Sequence, residues 1–180
     1  LVTPSQWLSD FLHDSFMKEY DIRVIHNGID TEVFRPMEGK VKEQYFCTDK
    51  KIILGVAAVW DKRKGLSSFI ELSKKLDDTY RIILVGLTKK QIKDLPSNMI
   101  GIERTNSVKE LVELYSAAAI FVNPTLEDNY PTTNIEAIAC GTPVVTYDTG
   151  GSPESAKMYG TSVAQKDVQA LVRAIKNAGT

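Results

Sequence analysis

The feature that most constrains this chain is a repeated alternation between short apolar runs and amphipathic stretches. Ile52–Ala57, Arg81–Val85, Met99–Glu103, Ala119–Val122, Pro143–Thr146 and Thr161–Ala164 read as strands. Most are apolar at consecutive rather than alternate positions, the pattern of strands covered on both faces. Between them, apolar residues recur at helical spacing: Leu66, Phe69, Ile70 and Leu76; a short stretch around Gln91; Leu111, Leu114, Tyr115 and Ala118; Thr133 to about Cys140; and Val168, Leu171, Val172 and Ile175. Strands followed each time by a helix predict a doubly wound α/β fold around a parallel sheet, with ligands at the carboxyl ends of the strands.

The first fifty residues are less regular. Thr3-Pro4-Ser5-Gln6 reads as a capping box with Pro at the first helical position, opening a helix with Trp7, Leu8, Phe11 and Leu12 that runs to about Lys18. Arg23–His26 reads as a short strand ending in the turn Asn27-Gly28-Ile29-Asp30, and the stretch from Pro36 to Lys50 as a connector. The chain starts at Leu1 rather than Met and stops at Thr180 inside a helical pattern. It is therefore expected to be a piece of a longer protein, with 1–22 a linker helix from a preceding domain and 23–180 a domain of its own.

Composition narrows the function. At 180 residues, 43% hydrophobic and 25% charged, the chain can bury a core and is neither disordered nor a disulfide-stapled miniprotein. Its 22 basic and 23 acidic residues nearly cancel, which argues against a nucleic-acid partner. Cys47 and Cys140 are far apart without metal-ligand spacing, and His13 and His26 are the only histidines, so no metal site is expected. Free thiols point to a reducing, cytoplasmic setting. No apolar run approaches the ~20 residues of a membrane span, and no signal peptide opens the chain.

Three loops after strand ends carry unusual residues. Val59-Trp60-Asp61-Lys62-Arg63-Lys64-Gly65 places three cations where a helix starts, either a phosphate grip or a solvated turn. Pro124 to Thr133 puts Glu127 and Asp128 near Glu136, acceptors suited to sugar hydroxyls. Thr133-Asn134-Ile135-Glu136 is also a capping box, so Glu136 is open between cap and ligand. Thr149–Glu154 offers Gly150-Gly151 for close backbone approach, with Ser152 and Pro153 read as a cap. There is no G-x-G-x-x-G, no P-loop, no Asp-x-Asp and no G-x-S-x-G, and both histidines read as structural.

With these residues in view, Val24–Pro36 (VIHNGIDTEVFRP), the Arg63-Lys64-Gly65 turn, Glu110–Phe121 (ELVELYSAAAIF) and Pro124–Tyr147 (PTLEDNYPTTNIEAIACGTPVVTY) together resemble the signature of the retaining group 1 glycosyltransferases. The resemblance runs in order from Leu1 to about Ile175. It implies the GT-B fold, two Rossmann-like domains facing a cleft, with this chain as the C-terminal, donor-binding half. Lys64 matches the family's diphosphate-binding lysine; Val59 stands where its arginine partner usually lies, and Arg63 is the candidate replacement. Of the family's two acids, Glu136 matches the ribose contact. Asp128 matches the sugar contact by spacing, with Glu127 as the alternative. Asn129, Tyr130, Pro131, Thr132 and Thr133 fall where backbone N–H groups approach the donor, Arg104 and Thr105 flank the nucleobase, and Gly86 completes the donor-facing set.

The resemblance further implies metal-independent transfer of a hexose from a UDP-, GDP- or ADP-sugar to a glycan or lipid-linked acceptor, with no cofactor. The full enzyme is expected in polysaccharide biosynthesis, in the cytoplasm or at the inner face of the membrane, and the isolated chain is expected to be inactive. The alternatives are a GT-B sugar-nucleotide epimerase, a phosphorylase-like enzyme, or a non-catalytic binding module. A receiver-type module would need an acidic first loop, whereas Lys62, Arg63 and Lys64 make this one basic.

Overall fold

A computed structural model describes residues 1–178. Six strands form one parallel sheet: β3 (Lys51–Val56), β4 (Tyr80–Val85), β5 (Met99–Ile102), β6 (Ile120–Asn123), β7 (Val144–Tyr147) and β8 (Gly160–Val163). Their spatial order is β5-β4-β3-β6-β7-β8. The helices between them are α3 (Leu66–Ser73), α4 (Lys89–Lys93), α5 (Val108–Ala117), α6 (Thr132–Ala139) and α7 (Ser152–Ala156), with α8 (Val168–Ala178) following β8. The doubly wound expectation holds, and the sheet's two faces explain its consecutive apolar residues. Ile53, Ile82, Leu84, Ile120 and Val122 pack on one face with Phe69 and Leu72 of α3 and Leu171 and Ile175 of α8. Ile52, Leu54, Ile83 and Phe121 pack on the other with Leu114 and Tyr115 of α5 and Ala137 of α6.

Strand order places the site. The chain moves outward from β3 to β5, then returns to lay β6 against the free side of β3 before moving outward the other way. Crossovers leaving β3 and β6 diverge, which opens a crevice at their carboxyl ends.

The N-terminal residues depart from the sequence reading. Thr3 does not cap a helix; it lies in β1 (Val2–Thr3), paired in parallel with β2 (Arg23–Val24). The cap is Ser5, whose Oγ accepts from Leu8 N at 3.2 Å, and α1 spans only Gln6–His13. It stops short of Lys18 because the Ser15 hydroxyl takes the Leu12 carbonyl at 2.7 Å in place of the helical ladder. The connector contains a helical turn, α2 (Val41–Gln44), anchored by buried Val41. At α5, Ser107 accepts from Glu110 N, but the Glu110 carboxylate takes Asn106 N rather than closing the box. The last two residues of the expected 23–180 domain lie outside the described residues.

Glu154 of α7 accepts from Gln6 N at 2.7 Å and Trp7 N at 2.8 Å, so one carboxylate satisfies two N–H groups at the start of α1. Glu154→Ala is expected to cost about 1–2 kcal/mol, on the scale of a lost helix cap. In hydrogen exchange the amides of α1 should lose protection before those of the sheet.

Candidate active site

The crevice at the ends of β3 and β6 holds about 250 Å³ and is lined by the residues after β3, by Val122 and Asn123, and by Thr133 on α6. Beside it lies a polar recess of about 260 Å³ formed by Arg63, Lys64, Glu127, Asp128 and Asn129. The three loops singled out in the sequence converge here.

Asp61 shapes the basic loop. Its Oδ1 accepts from Arg63 N at 2.8 Å and Lys64 N at 3.2 Å, folding Lys62–Lys64 into a 3-10 turn. Its Oδ2 accepts from Arg63 Nε and Nη2, each at 3.1 Å. Desolvation pushes the Asp61 carboxyl up, but these hydrogen bonds and the Arg63 charge outweigh it and hold the carboxyl below its usual range. Arg63 is thus tied to a carboxylate of its own turn and 64% exposed, while Lys64 is turned inward. Lys64 Nζ donates to Asp128 Oδ2 at 2.6 Å, and both side chains are partly buried.

Glycines make this encounter possible. Gly65 has φ +76°, and a Cβ there would lie 2.2 Å from the Pro124 carbonyl oxygen. That approach lets Leu126 N donate to Arg63 O at 2.6 Å, clamping the basic loop to the acidic one. On the other flank Gly151 N donates to Asp128 O at 3.0 Å, where a Cβ on Gly151 would sit 1.8 Å from Asn129 O. The close approach foreseen for Gly150-Gly151 is therefore to the acidic loop's own backbone.

Asp128 is the acid brought to Lys64; Glu127 lies exposed in the same recess. The capping reading of Glu136 fails, because α6 begins at Thr132 with Pro131 as its cap and Thr133 already inside the helix. Glu136 instead accepts from the Tyr115 hydroxyl at 2.7 Å, one turn along α6 from Thr133. Nor does Ser152 cap α7: Gly151 holds that position, and the buried Ser152 Oγ has no partner among the described residues. His26 stacks on Tyr130 with ring centroids 4.8 Å apart, and Asn27 Nδ2 reaches Tyr130 O at 3.5 Å. The exposed Thr132 starts α6, whose cap position, Pro131, offers no side-chain hydrogen bond among the described residues.

Gly86, Arg104 and Thr105 are not among the residues lining either cavity. Gly86, at φ +100°, packs against the Ala57 carbonyl, which a Cβ would meet at 1.6 Å, so it serves the backbone beneath the crevice. Arg104 and Thr105 follow β5, one of the sheet's two edge strands. Sequence reasoning did not single out Asp61, Tyr115, Asn123 and Asn134 as site residues. Asn134 is buried, accepts from Asn123 Nδ2 and donates to Ser155 Oγ, each at 2.9 Å, which locks α6 to β6 and α7. An Asn closing an apolar strand was the available signal.

Residues 50–179 match the family described as Glycosyl transferases group 1. The chain belongs to that glycosyltransferase family. Among curated relatives, this group 1 chain is 28% identical over 163 residues to the MMP alpha-(1->4)-mannosyltransferase of Mycolicibacterium hassiacum, covering 86% of the chain and 38% of that protein. It is 31% identical over 148 residues to the O-antigen chain mannosyltransferase RfbU of Salmonella typhimurium, covering 75% of the chain and 39% of that protein. It thus spans about two fifths of the length of both relatives. Among solved structures, Anabaena HepE in complex with UDP-glucose superposes with a TM-score of 0.80 at 18% identity, over 98% of this chain and 52% of that one.

Burial raises the Glu136 carboxyl above its usual 4.5, the Tyr115 hydrogen bond pulling the other way without cancelling it. For an acid whose folded pKa lies above its unfolded one, the native state binds the extra proton between the two values, so stability falls as pH rises through that window. Glu136→Gln removes this dependence. In urea titrations the wild-type chain is expected to lose stability relative to the variant as pH is raised from below 4.5. An unchanged difference between pH 4 and pH 7 would remove burial as the governing influence on Glu136.

Proposed function

We propose that this chain is the C-terminal, donor-binding half of a retaining, metal-independent hexosyltransferase that uses a nucleoside diphosphate sugar. The observation that carries the reading is the 2.6 Å Lys64–Asp128 pair at the switch point of the sheet. One partner suits a phosphate oxygen, the other a sugar hydroxyl, and they stand side by side in an open recess. Lys64 meets the diphosphate, Asp128 the sugar and Glu136 the ribose. The backbone of Asn129, Tyr130, Thr132 and Thr133, around the start of α6, supplies N–H donors to the phosphate–sugar junction. The complex of HepE with UDP-glucose supports a nucleotide-sugar ligand for this fold.

The reaction breaks the bond between the sugar's anomeric carbon and a phosphate oxygen. That bond's electron pair leaves on the diphosphate, while the acceptor hydroxyl bonds the carbon and gives up its proton to the departing diphosphate oxygen. Negative charge therefore grows on the leaving group, where Lys64 and the α6 N–H groups are already oriented. Arg63, held by Asp61, reinforces the positive field from the rim rather than standing in for the arginine absent at Val59. The acceptor and the rest of the catalytic machinery are assigned to an N-terminal domain of the same protein, reached through residues 1–22. Val2, Trp7, Phe11 and Ile25 are exposed apolar residues on that side, suited to such a contact. The whole enzyme is assigned to the cytoplasm, with its acceptor presented at the membrane surface.

Calorimetric titration of the chain with UDP, GDP and ADP, and with their hexose conjugates, tests the reading. One nucleoside diphosphate is expected to bind at least tenfold more tightly than inorganic pyrophosphate, without transfer by the isolated chain. Failure of all three to bind, or sugar transfer by the chain alone, would overturn it. Conversion of the donor's sugar without an acceptor would identify an epimerase instead.

A further inference from the structure

The motif Glu110–Phe121 around Tyr115 and the segment Val24–Pro36 are conspicuous in the sequence, and neither has a part in the chemistry proposed above. In the fold they meet behind Glu136. Tyr115 is fully buried on α5 and donates its hydroxyl to Glu136 Oε2 at 2.7 Å. Its ring meets two others edge-on, Phe121 of β6 at 5.4 Å between centroids and Phe34 at 6.4 Å. Its carbonyl accepts from the buried Thr142 hydroxyl at 2.6 Å, fixing the backbone from the β7 side. The Phe34 segment is itself pinned to α5, where Met37 N donates to Ser116 Oγ at 3.1 Å. Glu136 is left with one oxygen committed and Oε1 without a hydrogen bond from the described residues.

We propose that Tyr115 is a positioning residue for recognition of the donor's ribose, its braced hydroxyl holding the Glu136 carboxylate in the one rotamer that presents Oε1 to the sugar diol. The proposal rests on the reading of Glu136 as the ribose ligand and adds how that ligand is oriented. A glutamate has three side-chain torsions, and half-buried on α6, one turn beyond the crevice residue Thr133, it would otherwise sample several rotamers. A short hydrogen bond from a fully buried tyrosine removes that freedom before the nucleotide arrives, so the diol meets a preorganised acceptor. Phe34, outside the sheet, matters because it packs edge-on against the Tyr115 ring from a segment separate from α5 and β6.

The test measures a ratio rather than an affinity. Binding of UDP, GDP and ADP, each against its 2′,3′-dideoxy counterpart, is measured on the chain and on Tyr115→Phe, Glu136→Gln, the double variant and Phe34→Leu. Wild type is expected to favour the ribonucleotide by about tenfold or more, the scale of hydrogen bonds to a charged group. Tyr115→Phe keeps the ring and loses one oxygen. It should lower that preference at least threefold while leaving the dideoxy affinity unchanged, an effect that mere packing by Tyr115 would not produce. In the Glu136→Gln background the same change should do nothing further, because the two residues act as one unit. Phe34→Leu, with the hydroxyl intact and its brace removed, should lose part of the preference; it supplies a reading even if Tyr115→Phe folds poorly. If Glu136→Gln loses the preference while Tyr115→Phe and Phe34→Leu retain it in full, the role of Tyr115 falls and the ribose assignment stands. If Glu136→Gln retains the preference, the ribose assignment falls and this proposal with it.

Discussion

Lys64→Ala in the enzyme that carries this domain is expected to lower turnover by about 10²–10³, the usual cost of removing one preorganised donor from a developing oxyanion. The geometry adds a second consequence. Asp128 is only 19% exposed and faces Lys64 at 2.6 Å, so deleting the cation leaves a partly buried carboxylate uncompensated beside the place assigned to the diphosphate. Repulsion between the two anions should weaken donor binding beyond the loss of the lysine's own contact. The double variant Lys64→Ala/Asp128→Asn is therefore expected to bind the nucleoside diphosphate more tightly than Lys64→Ala alone, though still more weakly than wild type. Arginine is not expected to restore turnover, because its planar fork cannot replace a compact ammonium held between two loops. Steady-state kinetics and calorimetry on these variants decide the matter; near-native turnover in Lys64→Ala would refute the assignment.

The second large effect is expected from Gly65→Ala. Alanine at φ +76° is strained in any setting, and here its methyl would also lie 2.2 Å from the Pro124 carbonyl oxygen. Backbone, not a flexible side-chain tip, has to move. Combining strain with a displaced loop, a cost of about 2–4 kcal/mol is expected in urea unfolding. The displacement breaks the Leu126 N to Arg63 O bond and draws Lys64 away from Asp128, so nucleotide binding should fall even at temperatures where the variant is folded. Full stability with full binding would show that the two loops do not depend on this close approach.

Strands buried on both faces must be apolar at consecutive positions, which is why β3, β4, β6 and β7 were legible. The helices were legible from their spacing; the loops that follow strands marked Lys64, Asp128 and Glu136 only as candidates, Glu136 open between cap and ligand, and their roles came from the family resemblance. The caps were misjudged at Thr3, Thr133 and Ser152 because Ser and Thr next to Pro and Glu fit several starting positions equally well. Which one opens a helix depends on contacts from elsewhere, as where Glu154 takes the N–H groups of Gln6 and Trp7 from 148 and 147 residues away. Tyr115 was read as an ordinary core residue, since apolar spacing on α5 says where its ring goes and nothing of where its hydroxyl ends.

Local pattern alone thus determined the fold class and the residue types available for chemistry, because burial on two faces and helical spacing are properties of neighbouring residues. Only the tertiary structure decided that β6 lies against β3, and through that order that a lysine at position 64 meets an aspartate at 128. The same folding joined Tyr115 to Glu136. Such pairings are choices among distant partners of similar chemistry, and packing of the whole chain settles them.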